Sequence, residues 1–247
     1  MTYDGTNGIT FPDSSKQSSA ATALGNRLID AGFIINQRGY VSGTSLSAGA
    51  YAHDRWKAGA SGCTYTFTQG NTGVPITITI TAGSLQQIIE GCNVPEGGTY
   101  TLSWSGTAQG RVNGGSYSAS PLVVTGLTAG SNVTVEFNTG TLLKPKFETG
   151  AVASSFDYRP YGTELALCQR YYTYLPASLP NIHAGLYNGS TYIGNTYFPV
   201  TMRTAPTILA SVGGGGGVGT IGVGGFYFSG TNGTGNYVSS YTASAEL

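Results

Sequence analysis

Val74 to Thr81 reads VPITITIT, and its alternation decides the fold. Ile76, Ile78 and Ile80 fall on one side of an extended chain, and Thr77, Thr79 and Thr81 on the other. That period of two is the pattern of a strand with one face buried and one in water. The same pattern extends in both directions. Upstream, CTYTFTQ (63–69) alternates Tyr65 and Phe67 with threonines, and GFIINQRGY (32–40) predicts a strand with Phe33 and Ile35 turned inward. Downstream follow SLQQIIE (84–90), TYTLSWSG (99–106), PLVVTGL (121–127), NVTVEFNTG (132–140) and LLKPKFETG (142–150). Turn residues separate these runs about every ten residues, as an antiparallel sandwich requires. The expectation is a mostly β chain, with a sandwich of roughly eight or nine strands over residues 27–160.

Four segments result. Residues 1–26 hold turn dipeptides Asp4-Gly5 and Asn7-Gly8 around Ile9 and Phe11, then a small polar stretch. They carry too little apolar surface to fold alone and read as an arm or shaft segment ordered by neighbouring chains. After the sandwich comes YRPYGTELALCQRYYTYLP (158–176), the one helical pattern. It predicts a short junction helix over 161–175, with Thr163 as N-cap, Glu164 in the first turn and Arg170 near the last. A helix this short needs packing to survive, and neighbouring copies of the chain are the expected partner. Residues 176–247 return to strands and turns as a smaller β domain, in which Asn188-Gly189 predicts a hairpin between Tyr187 and Tyr192.

Composition excludes several functions. Only 9% of residues are charged and 39 are glycine, against roughly 25% charged in an ordinary soluble domain. Twenty of the twenty-two charged residues lie at or before Arg170, so the tail must make its contacts with neutral groups. The net charge is zero without a basic cluster, which removes the electrostatic footprint of a nucleic-acid binder. No apolar run reaches a membrane span, and the start lacks a charged-then-apolar leader, so insertion and export by a cleaved signal are not expected. Cys63, Cys92 and Cys168 fit neither a zinc site nor a redox pair and read as buried thiols.

YAHDRW (51–56) gathers the most reactive side chains. His53 beside Asp54 suggests a base and its orienting acid, but neighbours on a strand point to opposite faces. The simpler reading has Trp56 in the core and Asp54 with Arg55 as an internal or interface pair. Glycoside hydrolysis needs two facing carboxylates; only Glu90 and Glu136, both on expected strands, remain open for that role. No metal-ligand spacing is present, and no cofactor is expected. The glycine-rich SVGGGGGVGTIGVGG (211–225) lacks the lysine and strand–helix setting of a phosphate loop. It could be a flexible loop or a segment close-packed between chains where only glycine fits. Val212, Val218, Ile221 and Val223 among its glycines argue for ordered packing over a free linker.

NGITFPDSSKQSSAA (7–21), FIINQRGY with AYAHDRWKAG (33–40 and 50–59) and KPKFETGAVASSFDYRPYGTELALCQRYY (144–172) together resemble tail-fibre or receptor-binding proteins of tailed bacteriophages and prophages. The second and third are similar to the opening and close of a β-sandwich that looks like a carbohydrate-binding module. The resemblance implies a jelly-roll-like antiparallel sandwich in a homotrimer at the virion's tail-fibre tip, made in the host cytoplasm. Its N-terminus would join other tail proteins, and its ligand would be a bacterial surface glycan or other host receptor. It supplies no ligand contacts. Nine of the seventeen tyrosines fall in the last 77 residues, and tyrosine offers a sugar both a flat apolar face and a hydroxyl. Tyr187, Asn188 and Tyr192 around one turn, and Asn232 and Tyr237 around another, are therefore the expected ligand residues. A non-enzymatic attachment protein is the expectation; a purely structural virion protein and a capsule depolymerase are the alternatives.

Overall fold

The computed structural model describes residues 25–179, 181–187, 191–230 and 237–247, and only the backbone of 2–4, 8–10, 16–17 and 186. Three short N-terminal strands, β1 (Thr2–Asp4), β2 (Gly8–Thr10) and β3 (Lys16–Gln17), pair in sequence order.

A first sandwich follows: β4 (Lys57–Phe67), β5 (Ile78–Ile89), β6 (Gly98–Ser105), β7 (Gly110–Val112), β8 (Leu122–Leu127), β9 (Val133–Phe137) and β10 (Gly140–Thr149). All pairings are antiparallel. One sheet runs β7-β9-β5-β4 and the other β10-β6-β8, and β10 belongs to both. Gly140 to Leu142 pair with Ile80 to Ile78 of β5; beyond a bend at Lys144 (φ 52°), Lys146 to Thr149 pair with Ser103 to Tyr100 of β6. The core between the sheets holds Phe33, Trp56, Tyr65, Tyr100, Phe137 and Phe147, each under 2% exposed.

Seven strands form where eight or nine were expected, for three local reasons. The second half of VPITITIT (78–81) and SLQQIIE are one strand, because Gly83 is not a turn but a bulge lying against the Gly62 carbonyl, where a β-carbon would collide. GRV (110–112) adds a strand too short to signal itself. GFIINQRGY is a loop: Asp30 Oδ1 accepts from the Ile34 and Ile35 N–H groups (2.7 and 3.1 Å), and Asn36 bonds both backbone groups of Tyr40. Side chains thus take the place of a strand ladder. Phe33 and Ile35 still turn inward, at 0% and 1% exposure.

Helix α1 (Tyr161–Gln169) is capped by Pro160, not Thr163, which lies within the first turn. Contacts within its own chain hold it. Glu164 accepts from the Asp30 N–H (2.5 Å) and pairs with Arg159 (3.0 Å), and Cys168 packs with Ile29, Ile35 and Tyr171. Cys168 and Cys63 are buried as expected, but Cys92 is exposed, and all three are free.

The tail folds as a second, smaller sandwich. Its strands are β11 (Tyr172–Leu175), β12 (Ile182–His183), β13 (Gly185–Leu186), β14 (Tyr192–Tyr197), β15 (Thr207–Gly213), β16 (Gly217–Gly222), β17 (Gly225–Gly230) and β18 (Tyr237–Ser244). One sheet sets β11 and β12 on one side of β18 and β15 on the other; the second runs β13-β14-β17-β16. Phe198, Met202, Phe226, Phe228, Val238 and Tyr241 fill the space between them, with Val212, Val218 and Ile221 of the glycine-rich run packed against them. That run is ordered strand, turned by Gly214 and Gly215 at φ near 73°.

Glycine and aromatic content in this unit have one cause. Gly194 lies opposite Phe228 and Gly213 opposite Tyr237 on paired strands, and Gly219 lies beside Tyr227. At each glycine a β-carbon would strike the partner's ring. The rings cover bare backbone, a known way to stabilise glycine in a sheet.

Charge collects where the two sandwiches meet. Arg55, 1% exposed, pairs with Glu246, donates to the Ile88 carbonyl (2.6 Å) and stacks 3.6 Å from the Tyr171 ring centre. Arg38 bridges Glu246 (3.0 Å) and Asp54 (3.4 Å) over Tyr172. The expected Asp54–Arg55 pair is therefore two separate pairs. Tyr51 Oη and Lys57 Nζ donate to the Leu247 carbonyl at 2.6 and 2.8 Å. Glu246 and Leu247 are thus clasped by the first sandwich.

A candidate ligand-binding face

His53 and Asp54 do not form a catalytic pair. His53 is fully buried, its Nδ1 2.6 Å from the Tyr65 hydroxyl, and burial holds its pKa down at about 4. Asp54 accepts from Gln37 and Arg38, and burial lifts its carboxyl to about 7. Burial, followed by the Asp54 charge, raises Asp30 as well.

These shifts give opposed pH dependences. The His53 contribution is present above pH 6.5, where the unfolded histidine is neutral, and is lost as pH falls toward 4. The Asp54 penalty is absent below 3.8 and complete once pH passes 7, so acidification stabilises the fold through this group. Asp30 acts in the same sense. Between pH 7 and 5 the two aspartates outweigh the histidine, and denaturation midpoints are expected to rise on acidification. Asp54→Asn should remove on the order of 2 kcal/mol of that gain. An unchanged pH profile in the variant would contradict the assignment.

Glu90 and Glu136 do not face each other. Glu136 lies opposite Gln86 and is bound by Arg111 (2.6 Å) and Ser84 (2.5 Å). Glu90 sits four residues further along, roughly 13 Å at strand rise, bound by the Tyr171 hydroxyl (2.8 Å) and Arg170 (3.2 Å). Paired glycosidase carboxylates stand about 5 to 9.5 Å apart. The cleft that Gln86, Arg111, Asn113 and Glu136 line is polar, but its opposite charges neutralise one another. No group of three or more metal-ligating side chains occurs among the described residues.

The expected ligand residues are scattered. Tyr187 is 71% exposed at the end of the β13–β14 hairpin, where its N–H bonds the Thr191 carbonyl (2.7 Å). Tyr192 is half-buried and shares the inward face of β14 with Gly194 and Thr196. Tyr237 is half-buried, covering Gly213 and lying 5.8 Å from the His183 ring. Asn188 and Asn232 lie outside the described residues.

The exposed face of β14, β17 and β16 carries a further candidate site, outside those expectations. Asn195 stands opposite Tyr227, and Tyr197 opposite Gly225. Tyr197 is 78% exposed and Tyr227 36%. With Thr220 they line a shallow cleft that contains no charged side chain. Gly225 lines it where a β-carbon would strike the Thr196 carbonyl. The Asn195 amide and both tyrosine hydroxyls have no hydrogen-bond partner in the described chain. No protein-family model, curated protein or solved structure matches this chain. The chemistry of this face must therefore speak for itself. Two rings and an unpaired amide suit a neutral ligand that has both apolar and hydroxylated faces. The signal was legible in FYF (226–228), where two buried phenylalanines force Tyr227 outward.

Proposed function

We propose that this chain is a non-enzymatic attachment protein, of the kind that tips bacteriophage tail fibres, and that it binds neutral glycan on a bacterial surface. The uncharged tyrosine platform of Tyr197 and Tyr227 carries this reading, supported by the resemblance of the sandwich segments to tail-fibre modules. The C–H face of a pyranose would lie on the rings, and Asn195 and Thr220 would bond its hydroxyls. Such a site is shallow and weak alone. Three copies on one trimeric fibre, and several fibres on a virion, would raise its effective concentration.

Replacing both rings, Tyr197→Ala with Tyr227→Ala, is expected to cut binding to host cells or to a glycan array by roughly ten-fold per ring. Neutral glycans should be retained over uronate- or sialate-bearing ones by the wild type. Undiminished adsorption by the folded double variant would reject the platform and favour a structural virion role. Release of oligosaccharide from host polysaccharide would instead favour a depolymerase.

A further inference from the structure

A second cleft opens where α1, β11 and the loop before β4 meet. Tyr161, Leu165 and Gln169 recur every four residues and form one stripe of the helix. Tyr174 faces them from β11, and Pro199 and Asn36 also line the cleft, which is open on one side and has a volume of about 290 Å³. That volume suits a small ligand. None of the lining side chains is charged.

Its polar groups divide into used and unused. The Asn36 amide is committed to the Tyr40 backbone, and Gln37 Nε2 to Asp54 and the Tyr172 carbonyl. In contrast, the Gln169 amide and the hydroxyls of Tyr161 and Tyr174 have no hydrogen-bond partner among the described residues. The two tyrosines are 40% and 41% exposed. Three unpaired polar ends thus border a wall of Leu165 and Pro199. Strand addition by a peptide along β11 is obstructed. The outward Tyr172 carbonyl, which an added strand would need, is already bonded by Gln37 at 2.9 Å.

We propose that this cleft is a second saccharide site, taking a single neutral pyranose. The sugar's C–H face would meet Leu165, Pro199 and a tyrosine ring. The planar Gln169 amide, with a donor and an acceptor side by side, would bridge adjacent hydroxyls. The site shares no residue with the Tyr197–Tyr227 platform, so either can exist without the other.

Fluorine NMR of the full chain labelled with 3-fluorotyrosine tests this, with resonances assigned by Tyr161→Phe and Tyr174→Phe. The probes are glucose, galactose, mannose and N-acetylglucosamine at about millimolar to tens of millimolar concentration, the range of a weak single site, with glucuronate as the charged control. At least one neutral sugar should move the Tyr161 and Tyr174 resonances together. The shifts should vanish in Gln169→Ala and persist when Tyr197 and Tyr227 are both alanine. Tryptophan fluorescence together with near-ultraviolet tyrosine dichroism establishes that both sandwiches of each variant are folded. The proposal is overturned if none of the four sugars moves either resonance, if the shifts survive Gln169→Ala, or if glucuronate binds as well. Shifts confined to Tyr197 and Tyr227 would overturn the cleft and leave the attachment reading standing.

Discussion

Glu246→Ala is expected to destabilise the protein by about 3–5 kcal/mol, the usual cost of removing one partner from a buried ion pair. Glu246 is the shared anion of Arg55 and Arg38. Arg38 keeps Asp54 when the carboxylate is gone, but Arg55 is left 1% exposed with only the Ile88 carbonyl and the Tyr171 ring. Both tryptophans, Trp56 and Trp104, lie in the core of the first sandwich, so their fluorescence reports that unit, whereas near-ultraviolet tyrosine dichroism also reports the second. In the wild type the two denaturation curves should coincide. In Glu246→Ala they should separate, the second sandwich losing structure first. Glu246→Gln, which keeps an acceptor, should fall between. Coincident curves at an unchanged midpoint in Glu246→Ala would show that the clasp does not hold the units together.

Phe228→Ala should cost a similar amount, about 3–5 kcal/mol, by leaving a cavity in the smaller core. Phe228 is 0% exposed and also covers Gly194 on the neighbouring strand, so the loss uncovers backbone as well as emptying volume. Because its contacts lie in the second sandwich, the tyrosine signal should shift to lower denaturant by more than the tryptophan signal does. Equal shifts in both would mean that the two cores melt as one unit regardless of which is damaged.

The sandwich class was legible because VPITITIT and its neighbours alternate without ambiguity, and burial of alternate residues is what builds a two-layer β unit. Strand number was harder to read. Gly83 in a bulge and glycine in a turn look alike in sequence, since both answer a close approach or a positive φ. The loop at 32–40 shows the opposite error. Its apolar residues are buried, but Asp30 and Asn36 satisfy the backbone that a ladder would otherwise satisfy, and the alternation of side chains cannot reveal that. The helix's contacts within its own chain were not legible, because only the three-dimensional path brings Asp30 beside Glu164 and Arg159. For a candidate ligand face, attention to turns favoured Tyr187, Asn188, Tyr192, Asn232 and Tyr237. The more exposed pairing of rings lies instead on strand faces, at Tyr197 and Tyr227, where the rule of two already placed them outside.

Strand β10 has a mechanical consequence. Its first residues are stitched to β5 in one sheet and its last to β6 in the other, so the two layers cannot slide or peel apart without breaking one of β10's two hydrogen-bond ladders. A pull along β10 loads two hydrogen-bond ladders in shear, one behind the other, instead of unzipping either from its end. Under the attachment role proposed above, tension along β10 would thus be resisted by two ladders of the first sandwich at once.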